Sequence, residues 1–211
     1  MSAPHLPWAE MVTAWAVFAG NILSPGPNVF NTIAIALGSG RRVALAVVPA
    51  IALGVAGWST AALLGAAALF RQVPELQQGL TLLGGALLIW FAARYARRAW
   101  AWSETVGAGR LTGPRAAFLV TLAVLAANPK ALTTWLVLVS IFPAAEADAT
   151  AIAVMVAGSV LLASLGHAAY ALAFSTRPAA RLYARAGRWV TAGVGVFFAA
   201  LGLRLVLSVL G

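Results

Sequence analysis

The sequence predicts an all-α polytopic membrane protein whose six transmembrane helices form two inverted three-helix repeats, with helices 1 and 4 broken. Three observations predict it: an apolar composition, a one-sided distribution of charge, and a matched pair of proline interruptions. Of the 211 residues, 62% are apolar and only 9% are charged, and the mean hydropathy is +0.92. A water-soluble domain carries charge on about a quarter of its residues, so this chain has too little polar surface to face water on every side. It contains no cysteine, which excludes disulfides, thiol chemistry and thiolate metal sites.

Apolar stretches long enough to cross a bilayer, which takes about 20 helical residues, fall at 9–37, 43–70, 76–93, 116–142, 150–174 and 189–210. Span 1 follows a tail without a basic region and exceeds the apolar core of a cleavable signal, so it is expected to be retained. It is interrupted at Ser24–Asn28. The Gly/Ser turn in "LGSGRR" leads to span 2, where Pro49 is expected to kink the helix. Span 3 ends in arginines, and the longest and most polar loop, "RRAWAWSETVGAGRLTGPR", follows it. That loop divides the chain into a first repeat at 1–95, a cytoplasmic linker at 96–115 and a second repeat at 116–211. Span 4 is interrupted at "ANPKA", residues 127–131. Span 5 holds His167. Span 6 holds Arg204 in its outer half, where the side chain can reach the surface.

Gly54, Gly57, Gly65, Gly84, Gly85, Gly158 and Gly166 would let helices approach closely. Trp8, Trp100, Trp102 and Trp189 fall near the expected membrane interfaces and suit an aromatic belt. Trp58, Trp90 and Trp135 lie deeper, facing either lipid or a cavity.

Arg41, Arg42, Arg94, Arg97, Arg98, Arg110, Arg115, Arg177, Arg181, Arg185 and Arg188 share the loops on one side with a single acid, Glu104. The other side has Glu10, Glu75, Glu146 and Asp148 against Arg71. Basic residues mark the cytoplasmic face, so both termini are expected to be periplasmic. The net charge of +9 is then a topology signal, and nucleic acid is not an expected partner.

Three spans in each half place the halves in opposite orientations. Proline-interrupted helices at matching positions of two such halves point to a transporter site near the bilayer midplane. Each break lies about 10 to 17 residues into its span, near mid-membrane at 1.5 Å per residue. In lipid every backbone group needs a partner, so an irregular segment must be buried or line a wet cavity. Pro25 and Pro27 free carbonyls near Gly20–Leu23, while past Pro27 a new helix starts with its positive end toward the break, a ready anion site. Ser24, Gly26 and Asn28 lie in that break and Asn128, Pro129 and Lys130 in the second. An ionisable residue near the bilayer centre is costly and marks function, and no carboxylate in the spans can pair with Lys130. The expected counter-ion is a substrate carboxylate. His167 is the intramembrane group that titrates near neutrality and is a candidate proton relay.

The lack of intramembrane Asp and Glu favours neutral or zwitterionic substrates over cations. An intramembrane enzyme would need a nucleophile with a base, paired carboxylates or a metal cluster; with two histidines and no cysteine none is expected, nor is a metal or cofactor. A membrane scaffold or assembly factor without flux is the alternative, which an ionisable Lys130 at a broken helix disfavours. The oligomeric state stays open, a homodimer included.

"SPGPN", "GRR", "LLGGALLIW" and "NPKA", in that order, resemble the LysE/RhtB family of amino-acid exporters over essentially the whole chain. The resemblance implies a carrier of the bacterial inner membrane that expels amino acids on the proton gradient. It carries the signature onto Ser24, Pro25, Gly26, Pro27 and Asn28, then Arg41 and Arg42, then Asn128, Pro129 and Lys130. Leu87 stands where the family often has an aromatic residue, and Ala144 where a polar one is common, which bears on substrate choice.

Overall fold

The computed structural model describes residues 6–24, 26–73, 75–102 and 111–210. These form eight helices: α1 Trp8–Leu23, α2 Pro27–Leu45, α3 Val47–Gln72, α4 Glu75–Trp100, α5 Pro114–Ala126, α6 Pro129–Ile141, α7 Ala149–Phe174 and α8 Arg177–Leu210. Pro27, Pro114 and Pro129 each open a helix, where the missing N–H would have had no partner and the fixed φ suits the first turn. Side chains cap two of the starts: Asn128 accepts from Lys130 N, and Asp148 accepts from Ala151 N at 2.7 Å.

The expected break of span 1 separates α1 from α2, and that of span 4 separates α5 from α6. Among the described residues, four helices are long and apolar enough to cross a membrane: α3, α7, and the segments Gln78–Trp100 of α4 and Arg185–Leu210 of α8. The α5–α6 pair, bent by 60°, makes a fifth crossing if taken as one. The stretch expected as span 1 is divided between α1 and α2, of 16 and 19 residues.

Three boundaries differ from the expectation, each for a local reason. The "LGSGRR" segment stays within α2, with the turn concentrated at Gly40 (φ 76°). That left-handed backbone favours glycine. Pro49 produces no kink, because α3 begins only at Val47 and the proline falls in the first turn, where it breaks no helical hydrogen bond. The arginine-rich ends, 94–100 and 177–188, are helical rather than loop, since Arg and Ala are strong helix formers.

α4 packs along α8, α3 along α7, and α2 against α7 and α5, while α1 touches α6, α7 and α8. Met11, Ile33, Ile51, Leu63, Leu88, Leu138, Met155 and Phe142 fill the centre. Leu53, Leu161, Leu165, Val196 and Leu203 point outward, as befits a lipid-facing surface. Several of the glycines sit at close crossings. A Cβ at Gly54 would strike Leu125, at Gly84 Ser140, at Gly158 Trp15 and at Gly166 Ile22. Gly85 and Gly202 face each other's carbonyls across α4 and α8. Gly57 and Gly65 face open space instead. Trp8, Trp100 and Trp189 are exposed, as a belt requires, whereas Trp102 is half-buried beside Gly187.

Candidate functional site

A helix interrupted by proline leaves its last carbonyls without intrahelical donors and its final turn partially negative. At the end of α1, Ser24 N donates to Gly20 O at 3.0 Å. The remaining carbonyls are taken by side chains from distant helices. Lys130 Nζ donates to Asn21 O at 3.0 Å and Ser24 O at 3.1 Å. Tyr170 Oη, from α7, lies 3.3 Å from Ile22 O and 3.2 Å from Leu23 O. The broken end of the first helix is therefore capped by a cation and a phenol of the second half.

Lys130 is fixed in turn. Its own amide donates to Asn128 Oδ1 at 3.0 Å, and its ammonium lies 5.5 Å from the centroid of the Tyr95 ring. Tyr95 Oη donates to Asn21 Oδ1 at 3.4 Å, Asn21 Nδ2 donates to Thr134 Oγ1, and Thr134 Oγ1 donates to Lys130 O at 2.6 Å. α1, α4 and α6 are thus tied through one polar cluster.

Two cavities meet at this cluster. The inner one, about 60 Å³, lies among α1, α2, α3, α5, α6 and α7, with Phe18, Trp58 and Trp135 among its aromatic walls and His167 among its polar ones. The outer one, about 400 Å³, is lined by Pro27, Trp90, Tyr95, Arg94, Arg98 and Thr133. Gly26, Asn128 and Lys130 line both, so they stand at the junction. Gly26 has extended backbone (φ −144°, ψ −179°) that any residue adopts. Its lack of a side chain matters for space: a Cβ there would lie 3.0 Å from Lys130 Cδ and Nζ.

Past the junction, α2 starts at Pro27 with no side-chain cap. Phe30 N is used by Gly26 O at 2.9 Å, which leaves the amides of Asn28 and Val29 at the helix's positive end. Ser24 Oγ and Asn28 Oδ1 are buried without a hydrogen-bond partner. One turn on, Thr32 Oγ1 is 2.9 Å from Asn28 O and 2.7 Å from His167 Nδ1. Arg98 stacks its guanidinium 4.4 Å over the Phe30 ring, and Arg94 lies over Trp90 at 4.8 Å, giving the outer cavity a cationic rim.

Gly26, Asn28, Asn128, Lys130 and His167 accordingly come together around one cavity system, Pro27 lines its outer part, and Ser24 lines neither cavity but holds Lys130 through its carbonyl. Pro25 and the side chain of Pro129 lie outside the described residues. Arg41, Arg42 and Arg204 are exposed. The sequence reading passed over Asn21, Thr32, Tyr95, Thr134 and Tyr170. Their signal was faint: single polar side chains in apolar helices, with Thr32 and Thr134 one turn beyond Asn28 and Lys130.

The family model described as LysE type translocator matches residues 20–209. The chain is 29% identical over 195 residues to the "Uncharacterized membrane protein YahN" of Escherichia coli K12, covering 90% of this chain and 86% of that one. It is 28% identical over 191 residues to the "Threonine efflux protein" of the same strain, covering 89% and 92%. An "Uncharacterized membrane protein" of Haemophilus influenzae is 34% identical over 76 residues, 36% of each chain. No solved structure matches the chain.

Proposed function

The chain belongs to the LysE type translocator family, and on that premise we propose that it is a secondary transporter exporting amino acids across the bacterial inner membrane. The substrates are neutral or zwitterionic, and the mechanism is alternating access around the Lys130 junction. Six crossings, arranged as two inverted repeats at 1–95 and 116–211, supply the moving halves. In this arrangement α1–α2 and α5–α6 are the broken first helices of each repeat. The packing supports it: exchanging helices between halves turns α3 on α5 into α7 on α1, α2 on α5 into α6 on α1, and α2 on α7 into α6 on α3, and each of these pairs is in contact. α4 on α6, α1 on α8 and α2 on α3 have no counterpart of comparable extent. The arginine-rich ends support a cytoplasmic outer cavity and periplasmic termini. Reporter fusions at both ends would read periplasmic; a cytoplasmic C-terminus would overturn the six-crossing arrangement.

The observation that carries the substrate class is Lys130 itself. It is a cation between two cavities, held by backbone carbonyls, and among the described residues no acid lines either cavity. A substrate carboxylate arriving from the arginine-rimmed side draws the ammonium off Asn21 O and Ser24 O and meets the amides of Asn28 and Val29. Hydrogen bonds between two ions are stronger than those to neutral carbonyls, so the exchange is favourable. It also releases a clasp between α1 and α6, which belong to opposite halves. The relative named as a threonine efflux protein agrees with an amino-acid substrate. Protons moving inward drive accumulation, with His167 as the relay.

Counterflow in proteoliposomes with a panel of neutral amino acids tests this reading. Exchange of at least one is expected. Exchange of none by folded protein would leave the scaffold alternative.

A further inference from the structure

The inner cavity has a second polar pole that a bound carboxylate does not use. Thr32 Oγ1 touches two groups, Asn28 O at 2.9 Å and His167 Nδ1 at 2.7 Å. A hydroxyl has one proton. Given to the carbonyl, which cannot donate in return, that proton leaves the hydroxyl lone pair for His167, so Nδ1 must carry hydrogen. Given to Nδ1 instead, it would press two lone pairs together at 2.9 Å. The first arrangement satisfies every atom and fixes the neutral ring as the Nδ1–H tautomer. The buried ring (4% exposed) then has Nε2 as its remaining polar atom, a bare acceptor on a residue that lines the cavity.

Asn28, two residues into α2, lines the same cavity, and its Oδ1 is buried without a donor. Buried acceptors are normally paired. Two acceptors lacking donors, on residues that line one cavity together with Trp58 and Trp135, suit a cationic donor. Among the described residues no acid lines the cavity to receive it. The opposite pole, Lys130 with the start of α2, suits an anion.

We infer that Asn28 Oδ1 and His167 Nε2 receive the α-ammonium of the zwitterion whose carboxylate meets Lys130, with Thr32 as a positioning residue that sets the histidine tautomer. This rests on the reading of the cavity as the amino-acid site, and adds to it the groups that receive the ammonium and so tell an amino acid from the matching hydroxy acid. Such a site rejects acids that carry a hydroxyl in place of the ammonium, because a hydroxyl supplies one proton to two acceptors and no charge.

The test measures thermal stabilisation of purified protein by L-alanine, L-serine and L-threonine, each against its hydroxy acid, L-lactate, L-glycerate or 2,3-dihydroxybutanoate. The expected preference for the amino acid is at least tenfold, falling toward one in His167→Leu and in Thr32→Val and being largely kept in His167→Gln, whose amide oxygen still accepts. An unchanged preference in folded His167→Leu and Thr32→Val would overturn the inference, as would a wild-type protein without preference. If Lys130→Met weakens both ligand classes alike while His167→Leu changes nothing, the ammonium assignment alone fails. If no amino acid stabilises the protein, or Lys130→Met leaves both classes unaltered, the site reading fails and the inference with it. A readout independent of binding is the ¹⁵N spectrum of His167 in a His5→Gln background. Protonated Nδ1 with bare Nε2 is expected, and the reverse tautomer would overturn the assignment.

Discussion

Replacing Lys130 by methionine separates binding from folding. Methionine keeps an unbranched stem beside Gly26 but removes the ammonium. The folded protein loses two hydrogen bonds, to Asn21 O at 3.0 Å and Ser24 O at 3.1 Å, each with a charged donor and worth about 1.5–3 kcal/mol. It also ceases to bury a cation, whose desolvation costs several kcal/mol. The two effects oppose each other and are similar in size, so ligand-free stability should move by no more than about 1–2 kcal/mol. A bound carboxylate has no such compensation. Removing one member of a buried charged pair costs about 2–5 kcal/mol, and the lower figure is already about 30-fold in affinity. Lys130→Arg keeps the charge but presents a planar fork in place of a compact head, and should fall between. The assay is thermal unfolding of purified protein without ligand, followed by substrate affinity from counterflow inhibition in proteoliposomes. Unchanged affinity for a carboxylated substrate in a folded Lys130→Met protein would refute the role of Lys130.

Other substitutions probe the same geometry. Gly26→Ala is expected to lower transport about tenfold with little change in melting. The new Cβ, 3.0 Å from Lys130 Nζ, displaces the ammonium and weakens its bonds to Asn21 O and Ser24 O, and about 1.4 kcal/mol is a factor of ten. Tyr170→Phe removes the donor shared by Ile22 O and Leu23 O and should cost about 1–3 kcal/mol in denaturant unfolding; no loss would mean that water caps the helix end as well. Gly158→Ala, which strikes the Trp15 ring, should destabilise by about 1–3 kcal/mol. Gly57→Ala, facing open space, should stabilise its helix by up to about 1 kcal/mol, and equal effects at the two positions would contradict the packing described. For proton coupling, His167→Gln should abolish pH-driven accumulation while sparing counterflow; loss of both, or of neither, rejects the relay.

How much was legible in advance depends on the range of the interaction concerned. The membrane class followed from composition, because hydrocarbon selects apolar residues one by one. The two breaks followed from Pro25, Pro27 and Pro129, because a proline's lost donor and steric clash act within one turn of wherever it sits. Pro49 shows the limit of that rule: the same residue is harmless when a helix happens to start two residues before it. The arginine-rich ends misled for a related reason, since positive charge reports the side of the membrane and says little about whether the backbone there is helical.

The sequence by itself determined that the first helix must end near Leu23 with carbonyls to satisfy, that a cation would sit at the second break, and that no acid lay within the spans to pair with it. Only the tertiary structure decided who meets whom. Lys130 reaches a carbonyl 109 residues away, Tyr170 one 148 away, and His167 a hydroxyl 135 away. Those pairings depend on how α1, α2, α6 and α7 pack side by side. That packing is settled by the shapes of many small apolar surfaces at once, such as Gly54 against Leu125 and Gly158 against Trp15. A proline acts on its own turn and can be read locally, whereas a hydrogen bond across helices exists only after the whole bundle has closed.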